Sequence, residues 1–426
     1  MGLTILFGLF FLTLITGVPV AFALGIAAAG AFLYEGIPLF VAFQRIVAGI
    51  SVYALLAIPF FIFAGELMLH GGAAQRLVRF VASAVGSVRG GLGIVDVGSS
   101  MLFGGISGSA VADTSALGAI LMPVMKEKGY DADYAVNVTV TSSVAGVVVP
   151  PSHNIILYVV AAGGSISVSS LFMGGIIPGI VMCLCLAVAA YLVAVRRGYP
   201  AEEFPGWRTL LVSFAASVPG LLTAVIIVGG TLSGVMTVIE SGAFGALYAI
   251  VVTALVYRDL TWPSFKAAVI GSVRTTALVM ILVGCASAFG YMLALYQVPD
   301  ALASLVTSVS SDPVVILLMI NLILLLLGMI MDMAPLILIC TPIFLPVVKD
   351  IGMDPVQFGI IMMMNLGLGL CTPPVGACLF VGCAIGGVKI EQAVKTIWPF
   401  YAAILVALAL TTYIPALSLW LPSILH

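Results

Sequence analysis

The sequence of 426 residues is short of charge. Lysine, arginine, aspartate and glutamate together make up 8% of the chain, against roughly 25% in soluble domains. Hydrophobic residues make up 62%. A transmembrane helix needs about 20 mostly apolar residues, and such runs fill most of the chain, so no soluble domain of useful size remains. The sequence therefore predicts an integral membrane protein whose function resides inside the bilayer.

Motifs for metal clusters, disulfides, nucleic acids and hydrolysis are also lacking. The seven cysteines lie in apolar runs without Cys-x-x-Cys spacing or nearby histidines, which is typical of cysteines that pack as small hydrophobic side chains. The formal net charge is −2 and no long basic run occurs, so nothing favours a nucleic-acid partner. No His-Glu-x-x-His motif or paired catalytic constellation indicates an intramembrane enzyme.

What the chain does have is an internal repeat. Residues 105–164 recur at 328–387 with a constant offset of 223 and no gap. The strongest matches are helix-breaking residues, which pair as Gly105 with Gly328, Pro123 with Pro346, Gly129 with Gly352, Gly146 with Gly369, Pro150-Pro151 with Pro373-Pro374, and Gly163-Gly164 with Gly386-Gly387. Interrupted apolar stretches at corresponding places in two halves are the best sequence indication of a secondary transporter's binding site.

Hydropathy predicts nine full spans and two re-entrant hairpins. The spans are 3–33, 48–70, 131–163, 168–195, 210–230, 236–257, 275–297, 354–386 and 396–421. The hairpins are the apolar stretches 93–125 and 314–346, each broken near its middle by glycine, serine, aspartate or proline. The first span has no basic segment before it and is too long for the core of a signal peptide, so we expect a retained helix.

The repeat divides the chain into two halves and a linker. The first repeat, 1–197, holds scaffold spans within 3–70, the hairpin 93–125 and the interrupted span 131–163. The second repeat, 236–426, holds scaffold spans within 236–297, the hairpin 314–346 and the interrupted span 354–386. The linker, 198–235, holds the span 210–230, which has no counterpart and adds one crossing. The predicted fold is therefore an all-α polytopic membrane protein with an inverted-topology repeat.

The basic residues test this topology. With these spans, thirteen of the fifteen lysines and arginines fall on one side of the membrane, and only Arg45 and Lys349 fall on the other. The positive-inside rule makes the first side cytoplasmic. We therefore expect a cytoplasmic N-terminus, a periplasmic C-terminus and hairpins that enter from opposite faces. The segments 38–47 and 260–268 are expected to lie in the interface, as short helices or as loops anchored by aromatic residues.

Each hairpin tip is predicted to face the break of the neighbouring interrupted span. Non-helical backbone at membrane depth must be buried in protein or line a wet cavity, and prolines leave carbonyl oxygens of the preceding turn free to coordinate a small cation such as sodium. The opposing half-helices direct their N-termini at the same place, where an anion such as a carboxylate can bind. The predicted substrate ligands are Ser107, Ser109, Ser152, Asp332 and Thr372. The alternative is that these small residues only let helices approach closely.

Other polar residues leave alternatives open. Asp113 is predicted either to cap a helix or to act inside the membrane, and His153 either to touch substrate or to pack. Glu66, Asp96 and Glu240 lie near predicted span ends and are expected to be interfacial. The stripe Asn137, Thr141 and Ser142, with Asn365 in the second half, is expected to line the path or to form interhelical hydrogen bonds.

Five segments of the chain are the most distinctive. They are the run 104–113, Val149-Pro150-Pro151-Ser152, Met331-Asp332, Thr372-Pro373-Pro374-Val375-Gly376 and Tyr413-Ile414-Pro415-Ala416-Leu417. In these segments the chain resembles the large membrane subunit of tripartite ATP-independent periplasmic (TRAP) transporters, the DctM-like family, and the resemblance covers essentially the whole chain. The family usually shows Thr-Pro-Thr-Glu early in the second half, where this chain has Thr237-Val238-Ile239-Glu240 and so lacks the proline.

The resemblance implies a sodium-coupled elevator transporter in the inner membrane of a bacterium. Such subunits pair with a small four-helix membrane subunit and receive substrate from a periplasmic binding protein. Their substrates are commonly organic acids, including C4-dicarboxylates and sialic acid. By motif match, one sodium site would involve Gly105, Ser107, Gly146, Val149 and Pro151, and the other Gly328, Asp332, Gly369, Thr372 and Pro374.

Two other functions stay open at this point. The first is a stand-alone sodium- or proton-coupled anion carrier or antiporter of the related dicarboxylate type. The second is a channel, since hairpins also build pores, although channels usually gather their filter from several symmetric subunits.

Overall fold

The structure is a computed structural model that describes residues 1–201, 203–309 and 312–425. All regular elements in these residues are helices. The first half comprises α1 Gly2–Ile15, α2 Val20–Tyr34, α3 Leu39–Ile50, a 3₁₀ helix Tyr53–Leu56, α4 Ala57–His70, α5 Ala73–Val85, α6 Gly91–Ser107, α7 Ala110–Glu127, α8 Ala132–Val148, α9 His153–Ala161 and α10 Val168–Arg197. The second half comprises α11 Trp207–Leu232, α12 Val238–Val251, a π-helical turn Val252–Val256, α13 Trp262–Leu295, α14 Val298–Val309, α15 Pro313–Gly328, α16 Met333–Asp350, α17 Pro355–Leu370, α18 Ala377–Gly386, α19 Ile390–Thr396, α20 Trp398–Tyr413 and α21 Ala416–Leu425.

The first predicted span is wrong, because the stretch 3–33 forms two helices. α1 and α2 are joined by a turn in which Gly17 has a φ of +85°. The two helices pack antiparallel to each other, with Gly30 facing Leu9. Gly2 at the start of α1 lies beside Glu35 at the end of α2, since a Cβ on Gly2 would lie 2.5 Å from a carboxylate oxygen of Glu35. The chain therefore returns at Glu35 to the side on which it began. The predicted cytoplasmic N-terminus required a single crossing in this stretch, which the two helices do not make.

Other predicted bounds also change. The span 275–297 is the second part of α13, which runs for 34 residues, or about 51 Å at 1.5 Å per residue. The segment 260–268 is therefore the beginning of this helix, whereas the segment 38–47 is a helix of its own, α3. The span 396–421 is bent by 56° between α20 and α21, where Pro415 has no N–H to continue the helix.

Both predicted hairpins are antiparallel pairs of helices. In the first, α6 and α7 are joined through Gly108, whose φ of +65° is a left-handed conformation that favours glycine. The Ser109 hydroxyl then caps α7 by accepting from the N–H of Ala112 at 3.4 Å. In the second, α15 and α16 are joined by residues 329–332, and Asp332 caps α16 by accepting from the N–H of Met333 at 2.8 Å.

Both predicted interrupted spans are broken at the double prolines. α8 and α9 meet at an angle of 54° across residues 149–152. α17 and α18 are separated by residues 371–376. In each case the helix ends because proline removes a donor and its ring clashes with the carbonyl of the preceding turn. The break leaves a new helix N-terminus inside the protein.

Equivalent elements of the two halves pack against each other in opposite directions. Val136 of α8 faces Gly386 at the end of α18, Val144 faces Gly367 of α17, and Tyr158 of α9 faces Gly359 near the start of α17. Residue numbers rise along one helix as they fall along the other. The same holds for the scaffold, where Ile46 of α3 faces Gly284 and Phe63 of α4 lies 6.3 Å from Phe265. The inverted-topology repeat is confirmed.

Many of these helices are suited to cross a bilayer. Within the described part of the chain, six helices are long and apolar enough to do so, or up to nine if each bent pair counts as one span. The unpaired span predicted at 210–230 is among them as α11. The protein is therefore a multi-pass membrane protein.

Candidate transport site

The first hairpin tip lies against the first break. Gly104 and Gly146 are in backbone contact, so that a Cβ on either would overlap the Cα of the other. A Cβ on Gly105 would lie 3.1 Å from the carbonyl oxygen of Pro150 and 3.4 Å from that of Val149. The tip turn is held from the other side of the break, because the Asn154 side-chain amide donates to the Gly108 carbonyl at 3.1 Å.

Two serines at this tip have oxygens available to a ligand. The Ser107 hydroxyl donates to the Gly104 carbonyl at 3.4 Å and is partly exposed. Ser152 is fully buried, and its hydroxyl has no hydrogen-bond partner among the described residues. A buried polar atom without a partner is costly, so the Ser152 hydroxyl is a fitting ligand for an ion or substrate. Together with the carbonyls facing Gly105, the donor set is entirely oxygen, which suits a hard cation.

The second tip and break repeat this backbone arrangement. A Cβ on Gly328 would lie 3.3 Å from the Cα of Gly369. The N–H of Val375 donates to the Met329 carbonyl at 3.1 Å and so ties the break to the tip. The Thr372 hydroxyl donates to the Leu368 carbonyl at 2.7 Å, which leaves its oxygen lone pairs available. Pro374 is exposed.

One cavity lies between the two halves. It has a volume of about 340 Å³, and its polar lining residues are Ser109, His153, Asn154 and Asp332. Apolar side chains, including Val111, Val147, Met333 and Leu370, supply the rest of the wall. None of the lining residues is a lysine or arginine. The cavity thus combines an apolar wall with a few convergent polar groups, as small-molecule sites usually do.

Four helices begin at this cavity. Ala110, His153, Met333 and Ala377 line it, and they are the first residues of α7, α9, α16 and α18. Each helix N-terminus carries the equivalent of roughly half a positive charge and unpaired N–H groups. The arrangement therefore favours an anion although no lysine or arginine lines the cavity.

The predicted site residues do not all reach this cavity. Of the five predicted substrate ligands, Ser109 and Asp332 line it. Ser107 lines a smaller cavity of about 70 Å³ beside the first tip, which it shares with Ser109, His153 and Glu66. Ser152 and Thr372 lie in the two breaks, next to the tips. The predicted sodium ligands form two groups, one in each half, around the two pairs of glycine contacts.

The structure decides between several alternatives for the other polar residues. Asp113 is not the cap of α7, because Ser109 holds that place, and Asp96 is fully buried rather than interfacial. Glu240 is exposed and forms a capping box with Thr237. The N-terminus of α12 is therefore capped although the proline of the family pattern is missing. Glu66 is partly exposed and lies 3.5 Å from His70.

The polar stripe on α8 forms interhelical hydrogen bonds rather than a lining of the path. Asn137 donates to the Ala393 carbonyl at 3.0 Å and to the Thr396 hydroxyl at 2.8 Å. Ser142 is bonded to Asp96 and Ser100 of α6, whereas the Thr141 hydroxyl donates to the Asn137 carbonyl within α8 itself. In the second half, Asn365 donates to the Asn321 carbonyl and side-chain oxygen, both at 2.8 Å.

Sequence reasoning missed Asn154, which both lines the cavity and holds the first tip. The signal for it was its place two residues after Ser152, in the first turn of the half-helix that begins at the break. His153, which the sequence left between two roles, lines both cavities.

Comparison with known proteins agrees with this architecture. Residues 7–417 match the family described as "Tripartite ATP-independent periplasmic transporter, DctM component". A Salmonella typhimurium protein, YgiK, is 42% identical over 99% of this chain and 97% of its own length. The C4-dicarboxylate TRAP transporter large permease protein DctM of Rhodobacter capsulatus is 33% identical over the whole of both chains.

A solved structure extends the likeness of the fold. The YdaH transporter of Alcanivorax borkumensis superposes with a TM-score of 0.67, covering 90% of this chain and 89% of that one at 13% identity. At this identity the match supports the fold alone. The family match and the relatives show more than the fold: this chain is a transporter rather than an enzyme, and it belongs to the DctM family of TRAP transporter large permeases.

Proposed function

We propose that this chain carries a small organic anion into the cell by sodium-coupled secondary transport. The observation that carries the proposal is the convergence of four helix N-termini on one cavity whose lining includes no lysine or arginine. A carboxylate suits such a site, because N–H groups and helix dipoles stabilise negative charge. The Rhodobacter capsulatus relative is named for C4-dicarboxylates, and a dicarboxylate or an acidic sugar such as sialic acid is the substrate class we expect.

Sodium is the proposed coupling ion. In the first half, the ion would be held by residues around Gly105, Ser107, Gly146, Val149 and Pro151, and in the second half by residues around Gly328, Asp332, Gly369, Thr372 and Pro374. The orphaned Ser152 hydroxyl and the carbonyls of Val149 and Pro150 next to Gly105 support an oxygen-coordinated cation there. Two cations flanking the cavity would also offset the charge of Asp332 when an anion enters.

An elevator movement is the proposed route across the membrane. In the first half, tip residues Ser107 and Ala112 line a cavity with the scaffold helices α4 and α13. Their counterparts at the offset of 223 are Ile330 and Pro335. The corresponding cavity beside α13 has a volume of about 300 Å³ and is instead lined by Leu338 and Pro342. Leu338 comes eight residues after Ile330, and Pro342 comes seven residues after Pro335. This difference corresponds to about 11 Å along a helix.

This displacement supports two end states related by the repeat. A rigid symmetric assembly would place equivalent residues of both hairpins against equivalent parts of the scaffold. Here non-equivalent residues of the two hairpins line the cavities beside the scaffold. Exchanging the arrangements of the two halves gives the opposite state, in which the site faces the other side.

Partners and location follow from the family. We expect this chain to work in the inner membrane of a bacterium with a small four-helix membrane subunit and a periplasmic binding protein. The side that carries thirteen of the fifteen basic residues would be cytoplasmic and the C-terminus periplasmic. Because α1 and α2 return the chain to its starting side, the N-terminus would share the side of Arg45.

Reconstitution tests the function. The chain, the small subunit and the binding protein encoded with it are placed in proteoliposomes, and uptake of the ligand of the binding protein is measured. We expect uptake with an inward sodium gradient and none with potassium alone. Equal uptake in potassium would refute sodium coupling. Full-rate uptake by the isolated chain would instead support the stand-alone carrier.

A further inference from the structure

Two buried carboxylates lie together below the first hairpin tip. Asp96 on α6 and Asp113 on α7 are both fully buried. Asp96 accepts hydrogen bonds from Thr139 and, at 3.3 Å, from Ser142. Ser142 in turn lies 2.9 Å from the hydroxyl of Ser100. Hydroxyl groups from α6 and α8 thus lie around the Asp96 carboxylate.

Asp113 is the less satisfied of the two. Its side chain interacts with those of Ser100 and Asp96, yet neither carboxylate oxygen has a hydrogen-bond partner among the described residues. The adjacent hydroxyl of Thr114 is also buried without a partner there. Asp113 is therefore a fully buried acceptor whose carboxylate oxygens receive no hydrogen bond from the described residues.

The pair also lacks a compensating positive charge. The ion pairs found in the described part of the chain involve Glu66, Asp131, Asp133 and Asp259, and neither Asp96 nor Asp113. Burying one ionised carboxylate without a partner is costly, and a second carboxylate nearby adds repulsion. Something positive must accompany the pair when it is ionised.

The second half shows that the fold does not need these acids. The offset of 223 places Met319 and Leu336 at the positions of Asp96 and Asp113, and Asn365 at that of Ser142. In the second half the hairpin packs on α17 through apolar side chains and the uncharged Asn321–Asn365 pair. Because the same architecture is built there without charge, hairpin packing does not explain the carboxylates.

We propose that Asp96 and Asp113 hold a sodium ion at a site separate from those at the two hairpin tips. The two carboxylates with the hydroxyls of Ser100 and Ser142 offer an all-oxygen ligand set, which hard cations prefer. One sodium ion removes one of the two negative charges, and the donors Thr139 and Ser142 stabilise the other. The site sits between both hairpin arms and α8, so an occupied site would hold these helices together.

Direct binding tests this site independently of transport. Equilibrium binding of radioactive sodium to the purified full chain, in detergent at constant ionic strength, counts the ions bound per chain at saturation. We expect Asp96→Asn and Asp113→Asn, which keep the shape and remove the charge, each to bind one sodium ion fewer than the wild type. Asp113→Leu places at this position the residue found at its counterpart in the second half. It should also bind one sodium ion fewer, and it replaces the amide variants if they do not fold.

Two controls separate this site from the others. Asn365→Ser changes the equivalent buried polar pair of the second half and should leave the number of bound ions unchanged. Thr372→Val alters the proposed site at the second tip, and its ion should be lost while the ion at Asp96 and Asp113 remains. Loss of sodium binding at the hairpin tips can thus be distinguished from loss of sodium binding at Asp96 and Asp113.

The proposal would be overturned if folded Asp96 and Asp113 variants bound as many sodium ions as the wild type with the same affinity. It would also be overturned if these variants left sodium binding intact but removed a proton that the wild type takes up, because the pair would then be a proton site.

Discussion

The two hairpin tips have the same backbone plan but different surroundings. In the first half, Ser152 of the break is fully buried, whereas its counterpart Val375 in the second half is 47% exposed. Pro151 is buried and Pro374 is exposed. The first tip also packs on the scaffold, since a Cβ on Gly65 of α4 would lie 3.1 Å from the Ser107 Cα. One tip is closed against the scaffold while the other is open.

The second difference concerns charge. The tip of the second half carries Asp332, which lines the central cavity, and the equivalent residue of the first half is Ser109. The first half has its carboxylates deeper, at Asp96 and Asp113. The two halves therefore share the backbone framework set by glycine and proline but carry their carboxylates at different positions. Variants in matched pairs can separate the two.

The largest effect should come from the glycine contacts, which the halves share. Gly146→Ala and Gly369→Ala each place a methyl group in the backbone of the opposing tip, since a Cβ on Gly369 would lie 2.6 Å from the Gly328 Cα. Overpacking costs about 1–3 kcal/mol, so we expect initial uptake rates in proteoliposomes to fall roughly fivefold to hundredfold in both variants. Gly229→Ala, where a Cβ meets open space, serves as the control. Loss in only one half would show that the two contacts are not equivalent.

The charge difference should have the next largest effect. Asp332→Asn keeps the cap of α16 and removes the carboxylate from the cavity. Losing an interaction with a charged group costs about 1.5–3 kcal/mol, so the sodium concentration for half-maximal uptake should rise roughly tenfold to hundredfold. Ser109→Ala, its counterpart, should raise it only a few-fold. Asp354→Asn is the matched control, because Asp354 also caps a helix, accepting from the Val356 N–H at 2.7 Å. An unchanged sodium requirement in Asp332→Asn would remove this residue from the ion site.

The difference in burial between Pro151 and Pro374 predicts a smaller effect on sodium activation in both halves and an effect on thermal stability in the first half alone. Pro151→Ala and Pro374→Ala both restore an N–H that can bond a carbonyl otherwise free for an ion, so each should raise the half-activating sodium concentration about two- to tenfold, as expected for one net hydrogen bond. Because Pro151 is buried and Pro374 exposed, only the first should also lower the melting temperature of the purified protein appreciably. Equal melting temperatures would contradict the difference in packing between the tips, and unchanged sodium activation in both would mean that the breaks are only structural.

Much of this framework could be predicted from the sequence because it is encoded locally. Gly108 in a glycine- and serine-rich run and the double prolines at Pro150-Pro151 and Pro373-Pro374 disfavour a continuous helix, so the hairpins and interrupted spans followed from their positions. The offset of 223 and the distribution of basic residues then gave the inverted repeat. These signals need no knowledge of which helix packs on which.

The parts that sequence reasoning missed depend on contacts between distant residues. Asp96 lies near the start of an apolar run and was placed at the interface, but packing of α6 on α8 buries it beside Thr139 and Ser142. The stretch 3–33 was predicted as one span because it is apolar throughout, but α1 and α2 pack on each other across the turn at Gly17. The unequal exposure of Ser152 and Val375 could not be predicted either, because it depends on how the two halves sit against the scaffold.

Cysteine cross-linking tests most directly the central claim that the two halves exchange these arrangements during transport. In a chain whose seven native cysteines are replaced, Gly65→Cys with Ser107→Cys reports the contact present here, and Ala288→Cys with Ile330→Cys reports the equivalent contact of the second half. We predict that both pairs cross-link in reconstituted protein, that sodium and substrate change their ratio, and that either cross-link stops the uptake that the same reduced variant retains. If the second pair never cross-links while uptake proceeds, the two tips do not exchange places and the account is wrong.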